Sequence, residues 1–370
     1  MRLTTKEQIE EYTNFAVAHE RSHTLQSYEW GLVKSNWINE YVLVRDSEGR
    51  IKASLSILLR KTPLLNLYYM YAPRGPICDL HDKEALKSIA DGAREIAKKY
   101  NGIALKIDTD APASDLEYVE NMKALGFKLR NDYTNLEGVQ ARFDMRIDIK
   151  DKTPEQIMAA FHSKTRYNVR LAQKRGVEIK VGSREDIPVF YELMVETGKR
   201  DGFVVRDINY FYKLYDCLGP KYHRLFLAYY NGVPVAGSVC TVYGSKCLYL
   251  YGASSNQYRN TMAAYLIQWS MILWAVENKC HYYDLMGVPG NIEDENNPIY
   301  GLYRFKKGFG GEMWEFVGEF DMVYKPFWNW GFNLVERSRK TLRHSFSHFK
   351  AGLRKRLAGK KKNGRDGNLA

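Results

Sequence analysis

The predicted helices and strands occur in the same order twice along the chain, and this repeat limits the possible folds more than any other feature. A predicted helix over Lys6–Ala18 opens the first half, and a similar helix over Arg184–Glu196 opens the second. Each is followed by a second helix, a β-hairpin, a strand, a long helix and a last strand. Matching elements are all about 180 residues apart, so the sequence predicts two copies of one α/β unit.

Apolar periodicity and turn residues place the matching elements. The second helices are predicted over 25–36 and 209–218, the hairpins over 41–58 and 226–243, the next strands over 67–73 and 248–254, the long helices over 83–99 and 262–278, and the last strands over 103–108 and 282–286. This is the order of an acetyltransferase-like unit. We therefore predict an α/β fold with two tandem acetyltransferase-like (GNAT-type) domains, each a mixed sheet flanked by helices.

The repeat also suggests domain limits and isolates a basic tail. We predict a first domain over residues 1–145, completed by about residues 317–336, a second domain over residues 146–316, and a tail over residues 337–370. The tail carries the net charge of +12, because Arg337–Arg365 contains twelve Lys or Arg and no acid, while the remaining chain has 43 basic and 43 acidic residues. Apolar residues recur in the tail at steps of four and three, at Leu342, Phe346, Phe349, Leu353 and Leu357. This pattern favours membrane contact through residues 337–365, with a disordered tail or an RNA-binding tail as alternatives.

Cysteine content and hydropathy favour the cytoplasm. The five cysteines are odd in number and form no CxxC pair, which argues against disulfides and structural zinc. The N-terminus is polar from its first residues, and the longest nearly apolar run, Ala263–Val276, is too short to cross a bilayer. We expect a cytoplasmic protein, at the inner face of the cell membrane if the tail binds lipid. HExxH, GxxxxGK[ST] and GxSxG motifs are all missing, so we expect no metal and no organic cofactor.

The segments that open the two long helices argue against coenzyme A as acyl donor. Acetyltransferases bind its pyrophosphate on a glycine-rich turn at that place. Residues 256–262 (NQYRNTM) and 78–82 (CDLHD) contain no glycine. An enzyme that uses an acyl-coenzyme A on a small amine stays an alternative, as does a non-catalytic protein that binds membranes or RNA.

A basic helix is predicted to start at a capping box. Thr153 is the expected N-cap, Pro154 the first helical residue and Gln156 the reciprocal partner, and the helix is expected to end at Gly176. Four of its cations are candidates to bind tRNA or another polyanion: Lys164, Arg166, Arg170 and Lys174. A solvated helix face is the alternative for the same pattern.

Four stretches together resemble the FemABX family, aminoacyl-tRNA-dependent peptidyltransferases that extend the peptide stem of peptidoglycan precursors. They are LQSYEWGLVKSNW from Leu25, HSKTRYNVRLAQKRGVEI from His162, YDLMGVPG from Tyr283 and YGLYRFKKGFGGE from Tyr300. The chain resembles the short, FemX-like form, because residues 176–226 show no heptads for a coiled-coil arm. The resemblance implies transfer of an amino acid from aminoacyl-tRNA to UDP-MurNAc-pentapeptide or lipid II, in formation of the interpeptide bridge, without a cofactor.

The resemblance also implies which residues act. Five residues match positions that bind the precursor in the family: Lys34, Arg206, Tyr210, Tyr251 and Lys306. Cations and phenolic donors suit a pyrophosphate, and we expect these side chains to line one common groove. Lys306, predicted on a strand before a glycine-rich turn, would also stabilise the oxyanion of ester aminolysis. Asp108 is a candidate to accept the proton of the attacking amine, whereas its counterpart Asp284 is expected to be structural or to line the cleft.

Overall fold

The computed structural model describes residues 1–63, 65–135 and 137–334. The predicted tail over residues 337–370, with its membrane contact segment 337–365, lies outside the described residues. The chain divides into a compact unit, Met1–Met322, and a second unit that begins at Val323. Within the described ranges, no helix combines the length and the apolar character that crossing a bilayer requires.

The helices and strands follow the predicted order. The helices are α1 (Lys6–Ala18), α2 (Tyr28–Val33), α3 (Lys83–Lys99), α4 (Leu116–Ala124), α5 (Pro154–Ala160), α6 (Ser163–Lys174), α7 (Ile187–Asp201), α8 (Ile208–Tyr222), α9 (Ala263–Glu277) and α10 (Tyr300–Lys307). The strands are β1 (Ile38–Arg45), β2 (Ile51–Lys61), β3 (Tyr68–Arg74), β4 (Gly102–Thr109), β5 (Lys128–Arg130), β6 (Phe143–Asp148), β7 (Glu178–Gly182), β8 (His223–Tyr230), β9 (Val233–Tyr243), β10 (Lys246–Ser254), β11 (Tyr282–Gly287), β12 (Glu312–Glu315) and β13 (Glu319–Val323). Residues 326–334 are also helical.

Two mixed sheets repeat one connectivity. The first has the order β1-β2-β3-β4-β13-β5 and the second β12-β6-β11-β10-β9-β8-β7. In each, an antiparallel hairpin and a third strand are followed by a parallel partner, β4 beside β3 and β11 beside β10. A parallel pair needs a long crossover, and α3 and α9 supply it, so both long helices occupy their predicted places.

Strands near the predicted domain limits show how the chain passes between the sheets. All of β6 belongs to the second sheet, although it starts at residue 143, and β13 pairs with β5 in the first sheet, with Glu319 opposite Arg130. The limits at residues 145, 316 and 336 stay predictions.

One hydrophobic core contains side chains of both halves. Tyr12, Trp30 and Tyr41 from the first half share it with Phe211 and Leu214 of α8. Burying a large apolar side chain contributes about 1.5–3 kcal/mol, so this shared core holds α2 against α8. The first cluster of candidate residues lies where these two helices meet.

The predicted single helix from Thr153 to Gly176 is wrong. The capping box at Thr153 is present and starts α5 as expected, but Phe161 has extended backbone angles and ends it, and α6 begins at Ser163. Phe161 is 2% exposed and packs edge-on against Trp269 and Phe309. Burial of this ring in the core separates the two helices, which helical propensity alone does not reveal.

Candidate active site

A cluster of two cations and two tyrosines forms where α2 meets α8 and β10. Lys34, the C-cap of α2, places its ammonium 4.6 Å from the Trp30 ring centroid and 5.0 Å from that of Tyr210. The Arg206 guanidinium lies 5.5 Å from the Tyr210 ring, and the hydroxyls of Tyr210 and Tyr251 are 3.2 Å apart. The structure thus brings together four of the predicted precursor-binding residues, which we call the cation–tyrosine cluster.

Arg206 reaches this cluster from outside a helix. Asp207 is the N-cap of α8 and accepts a hydrogen bond from the Asn209 amide. Arg206 therefore precedes the helix, and its exposed side chain folds back towards the first turn.

The charges of the cation–tyrosine cluster favour an anionic ligand. Burial and the nearby Arg206 charge lower the pKa of Lys34 to about 8. No carboxylate among the described residues contributes to that shift. Two neighbouring cations without an acid repel each other, so binding an anion between them relieves the repulsion.

The second candidate site is a cleft of about 1520 Å³ bordered by α6, the start of α9, α10 and β10. Its cationic lining residues are Lys164, Arg200, Arg259, Arg304 and Lys306. Asp201 is the one acidic residue that lines it in the described part of the chain, and it is paired with Arg200 at 2.8 Å. The cleft is therefore strongly cationic.

Divergence of two parallel strands opens this cleft. β10 and β11 pair only from Lys246 to Leu248 and from Tyr282 to Asp284. Beyond these pairs both strands are irregular, β10 between Tyr249 and Tyr251 in its pairing with β9, and β11 between Asp284 and Gly287 in its pairing with β6. Such bulges bend strands and redirect side chains, and here they leave a gap between the ends of β10 and β11.

Lys306 lies on a helix rather than on the predicted strand. It is the penultimate residue of α10, is 4% exposed, and donates hydrogen bonds to the carbonyls of Met286 at 3.1 Å and Gly287 at 2.8 Å. Burial lowers its pKa to about 8, against the opposing effect of Asp144 and Asp284. Lys307 is exposed, because successive helical residues point about 100° apart.

The five predicted precursor-binding residues fall into two groups, and their common groove stays a prediction. Leu250 and Gly252 line the cleft, whereas Tyr251 between them belongs to the cation–tyrosine cluster. Lys306 lines the cleft, whereas the other four predicted residues are not among its lining residues.

Comparison with known proteins agrees with this architecture. The model of the FemAB family matches residues 7–232 and 224–337. The chain belongs to the FemAB family. Lipid II:glycine glycyltransferases of Staphylococcus haemolyticus (strain JCSC1435) and Staphylococcus aureus (strain USA300) are each 30% identical to it, over 85% of this chain and 91% of the relative.

Solved structures confirm the predicted fold. A crystal structure of FemX is 29% identical and superposes with a TM-score of 0.82, over 89% of this chain and 98% of that chain. A tandem GNAT protein from the clavulanic acid pathway, 11% identical, superposes with a TM-score of 0.52 over 86% of this chain and 96% of its own. The second likeness concerns the fold alone and agrees with the predicted tandem acetyltransferase-like domains.

In this FemAB protein Asp108 is buried away from the cationic cleft. Its carboxylate accepts hydrogen bonds from the Tyr71 hydroxyl at 2.6 Å and the Arg74 amide at 2.7 Å, and burial raises its pKa to about 6. It is not among the residues that line the cleft with Lys306, and its role as proton acceptor stays a prediction. Asp284 accepts from Arg146 at 2.9 Å and from the Met286 amide at 2.7 Å, which is a structural arrangement.

A buried ionic network is the main feature that the sequence did not indicate. Asp110 of the first half bonds Arg146 at 2.9 Å and Lys246 at 2.7 Å in the second. Arg74 lies 3.6 Å from Asp144, and its guanidinium stacks 3.7 Å from the Phe316 ring. The sequence does contain one signal for this network, which is the presence of charged residues inside otherwise apolar strands. Charged residues are almost never fully buried unless they are paired.

The four basic residues predicted on one helix occupy different surroundings. Lys164 lines the cationic cleft, and Lys174 is exposed. Arg166 donates to the carbonyls of Ala159 and Phe161, so it braces the turn between α5 and α6. Arg170 lines a separate hollow of about 490 Å³ with Arg166. In the described ranges no cluster of His, Cys, Asp and Glu is arranged to hold a metal ion.

Proposed function

We propose that this FemAB protein transfers an amino acid from aminoacyl-tRNA to the stem-peptide amine of a peptidoglycan precursor. The names of its relatives make glycine the first candidate for the amino acid and lipid II the first candidate for the acceptor, with UDP-MurNAc-pentapeptide as the soluble alternative. The observation that carries the proposal is the presence of two cationic groups, the cation–tyrosine cluster and the lining of the cleft that contains Lys306. An enzyme that joins two anionic substrates needs one such site for each.

The cation–tyrosine cluster suits the acceptor. Lys34 and Arg206 would neutralise its pyrophosphate, while Tyr210 and Tyr251 offer hydroxyl groups to phosphate or sugar oxygens. The stem peptide would then pass through the gap between β10 and β11. An extended peptide advances about 3.3 Å per residue, so five residues span roughly 17 Å and exceed the roughly 10 Å spacing of packed layers.

The cationic cleft suits the 3′ end of the tRNA. Its volume of about 1520 Å³ exceeds the roughly 300–1,000 Å³ of common small-molecule pockets. The phosphates would meet Lys164, Arg200 and Arg259, and the exposed Arg170 and Lys174 of α6 would extend the basic surface towards the tRNA body. This arrangement supports RNA more than coenzyme A as the donor.

The chemistry is aminolysis of an ester. The amine nitrogen bonds to the carbonyl carbon, an oxyanion forms, and the bond to the ribose oxygen breaks, so the products are an amide and a tRNA with a free ribose hydroxyl. The Lys306 ammonium, held by two carbonyls, would stabilise the oxyanion or the departing ribose oxygen. The proton that the amine loses balances the proton that the ribose oxygen gains.

Location follows from the acceptor. If lipid II is the acceptor, the reaction takes place at the inner face of the cell membrane, and we include in the proposal a peripheral membrane contact through residues 337–365. A cytoplasmic reaction with the soluble nucleotide needs no such contact.

One incubation tests this proposal. The protein is mixed with a set of aminoacyl-tRNAs and either lipid II or UDP-MurNAc-pentapeptide, and the product mass is measured. A mass increment that corresponds to glycine on lipid II is expected. Acyl transfer from an acyl-coenzyme A, together with coenzyme A binding in calorimetry, would favour the acetyltransferase alternative. Binding of tRNA or vesicles without any product would favour the non-catalytic one.

A further inference from the structure

An exposed aromatic patch occupies the start of the second unit. Within the helical residues 326–334, Phe327 is 71% exposed, Trp328 42% and Trp330 65%. Single exposed apolar residues are normal on proteins, but three large aromatic side chains within four residues are a concentrated apolar surface. Phe327 and Trp328 pack edge-on against each other, with ring centroids 5.4 Å apart, so they present one joined surface.

The sequence next to this aromatic patch indicates what covers it. Arg337–Arg365 begins seven residues after Trp330 and contains twelve Lys or Arg and no Asp or Glu. Tryptophan prefers the boundary between lipid headgroups and acyl chains, and basic segments are attracted to anionic lipid. Aromatic residues followed by a basic run with regularly spaced apolar residues suit a membrane surface better than RNA, because RNA phosphates need no apolar stripe. A second copy of the chain would carry the same positive charge and repel it.

We infer that Phe327, Trp328 and Trp330 insert into an anionic lipid surface and fix the point at which the chain meets the membrane. The inference rests on the membrane contact proposed above and adds the side chains that enter the lipid. The basic run draws the chain to the surface, and the aromatic rings determine the depth and the orientation of the contact.

Vesicle binding tests the aromatic patch directly. The full-length protein is mixed with vesicles of phosphatidylcholine containing phosphatidylglycerol, and with phosphatidylcholine alone, and Trp quenching by brominated acyl chains is recorded. The wild type should bind the anionic vesicles with quenched fluorescence. A double variant, Trp328→Ser with Trp330→Ser, should bind about tenfold more weakly or worse. Leu116→Ser is the matched control, since Leu116 is 69% exposed in the first half and should bind as the wild type does.

Several results would overturn the inference. The inference is wrong if the double variant binds anionic vesicles with an affinity within twofold of that of the wild type. It is also wrong if the wild type binds neither the anionic nor the phosphatidylcholine vesicles. Loss of tRNA binding or of a dimer in the double variant, with vesicle binding unchanged, would assign the patch to RNA or to a second copy. Transfer to the soluble UDP-MurNAc-pentapeptide is measured on the same samples, so failure of the proposed reaction is distinguishable from failure of membrane insertion.

An independent observation concerns the surroundings of Lys306. The two carbonyls that bind its ammonium belong to the bulge in β11, where Met286 has the left-handed φ of 63°. Asp144 of β6 is the cross-strand partner of Gly287, the second of these residues. Asp144 thus lies one strand away from the backbone that holds the ammonium.

The burial of the Asp144 carboxylate at this position is energetically unfavourable. It is 1% exposed, and among the described residues its Oδ1 atom has no hydrogen-bond partner. Arg74 lies 3.6 Å away and donates to the Ala141 carbonyl. A buried carboxylate without full pairing destabilises a fold. Its position across from Gly287, whose carbonyl binds a buried ammonium, points to an electrostatic task.

We propose that Asp144 is a positioning residue that keeps the Lys306 ammonium charged and directed at the cleft. This proposal rests on the role of Lys306 in transfer. The other charges around Lys306 are Asp284, which is already bonded to Arg146, Lys164 across the cleft and Arg304 on the same helix. Lys164 and Arg304 are cations, so they repel an ammonium. Both oxygens of Asp284 already accept hydrogen bonds, which leaves Asp144 as the carboxylate with an unbonded oxygen among the described residues. In agreement, the Asp144 charge raises the pKa of Lys306 against the effect of burial. Burial and the nearby Asp284 raise the pKa of Asp144 itself to about 7, so Asp144 carries this charge mainly above that pH.

Nitrogen NMR of the lysine ammonium separates this role from a purely structural one. The Lys306 signal, assigned by its loss in Lys306→Arg, is titrated in wild type and in Asp144→Asn. The midpoint should fall by about one pH unit in the variant, a tenfold change in the ionisation constant, because the ammonium of a buried lysine loses a neighbouring opposite charge. The transfer rate should decrease at alkaline pH as Lys306 loses its proton, and in Asp144→Asn this decrease should occur at a pH lower by the same amount. The double variant Lys306→Arg with Asp144→Asn should show no such decrease.

An unchanged midpoint in a folded variant would overturn the positioning role. Folding is checked by thermal unfolding, and Asp144→Ser replaces Asp144→Asn if the latter is unstable. The titration needs no activity, so it gives an answer even if Lys306 proves dispensable for transfer, in which case the proposed function fails separately.

Discussion

Replacement of Lys306 by methionine removes one ammonium and changes little else in the cleft. Lys306 is buried on α10, and its charge is directed by the Met286 and Gly287 carbonyls. Methionine has nearly the same length and no charge, so it fills the space without supplying a donor. The substitution therefore tests the electrostatic role of Lys306 rather than its volume.

The expected loss follows from the value of a fixed donor at an oxyanion. One such donor contributes about 3–4 kcal/mol to the transition state, which corresponds to roughly 10²–10³ in kcat. The KM for either substrate should change little, because Lys306 acts on charge that develops only in the transition state. Some stability should also be lost, since each carbonyl left without a donor costs about 1–3 kcal/mol, partly offset by removal of a buried charge.

The assay is the transfer rate at saturating aminoacyl-tRNA and precursor, with thermal unfolding as the folding check. Lys307→Met is the matched control, because Lys307 is the next residue and is exposed; its rate should stay within twofold of wild type. If folded Lys306→Met retained a rate within a few-fold of normal, or if both variants lost activity equally, the electrostatic argument for Lys306 would be refuted.

Three further predictions test the acceptor cluster and the buried network. The KM for the precursor should rise as the pH passes above about 8. Lys34, with its pKa lowered to about 8, then loses the charge that binds phosphate. The KM is measured as a function of pH, and Lys34→Arg should remove the rise. Tyr251→Phe removes the hydroxyl that lies 3.2 Å from that of Tyr210, and should raise the precursor KM about fivefold with kcat unchanged, the effect of roughly 1 kcal/mol. Asp110→Asn leaves two buried cations, Arg146 and Lys246, without their shared acid, and should lower the free energy of unfolding by about 3–5 kcal/mol in urea denaturation. An unchanged midpoint and slope would contradict the last of these.

Much of the fold could be read from the sequence because its signals are local. Periodicity defined α1 and α3 to the residue, and the capping box at Thr153 marked the start of α5. The repeated order of elements was enough to predict two similar sheets. The residues of the cation–tyrosine cluster were indicated by the resemblance to the FemABX family, whose precursor-binding positions they match.

Tertiary structure alone decided where these groups lie relative to one another. The bulges in β10 and β11 arise from pairing with β9 and β6, whose register the sequence does not reveal, and they shape the strand ends that carry Tyr251 and the carbonyls that bind Lys306. Burial of Phe161 splits the basic helix, and the network around Asp110 appears only when both halves share one core. Local sequence determines helices, strands and available side chains, whereas the packing of elements that are distant in sequence determines which cationic side chains come together.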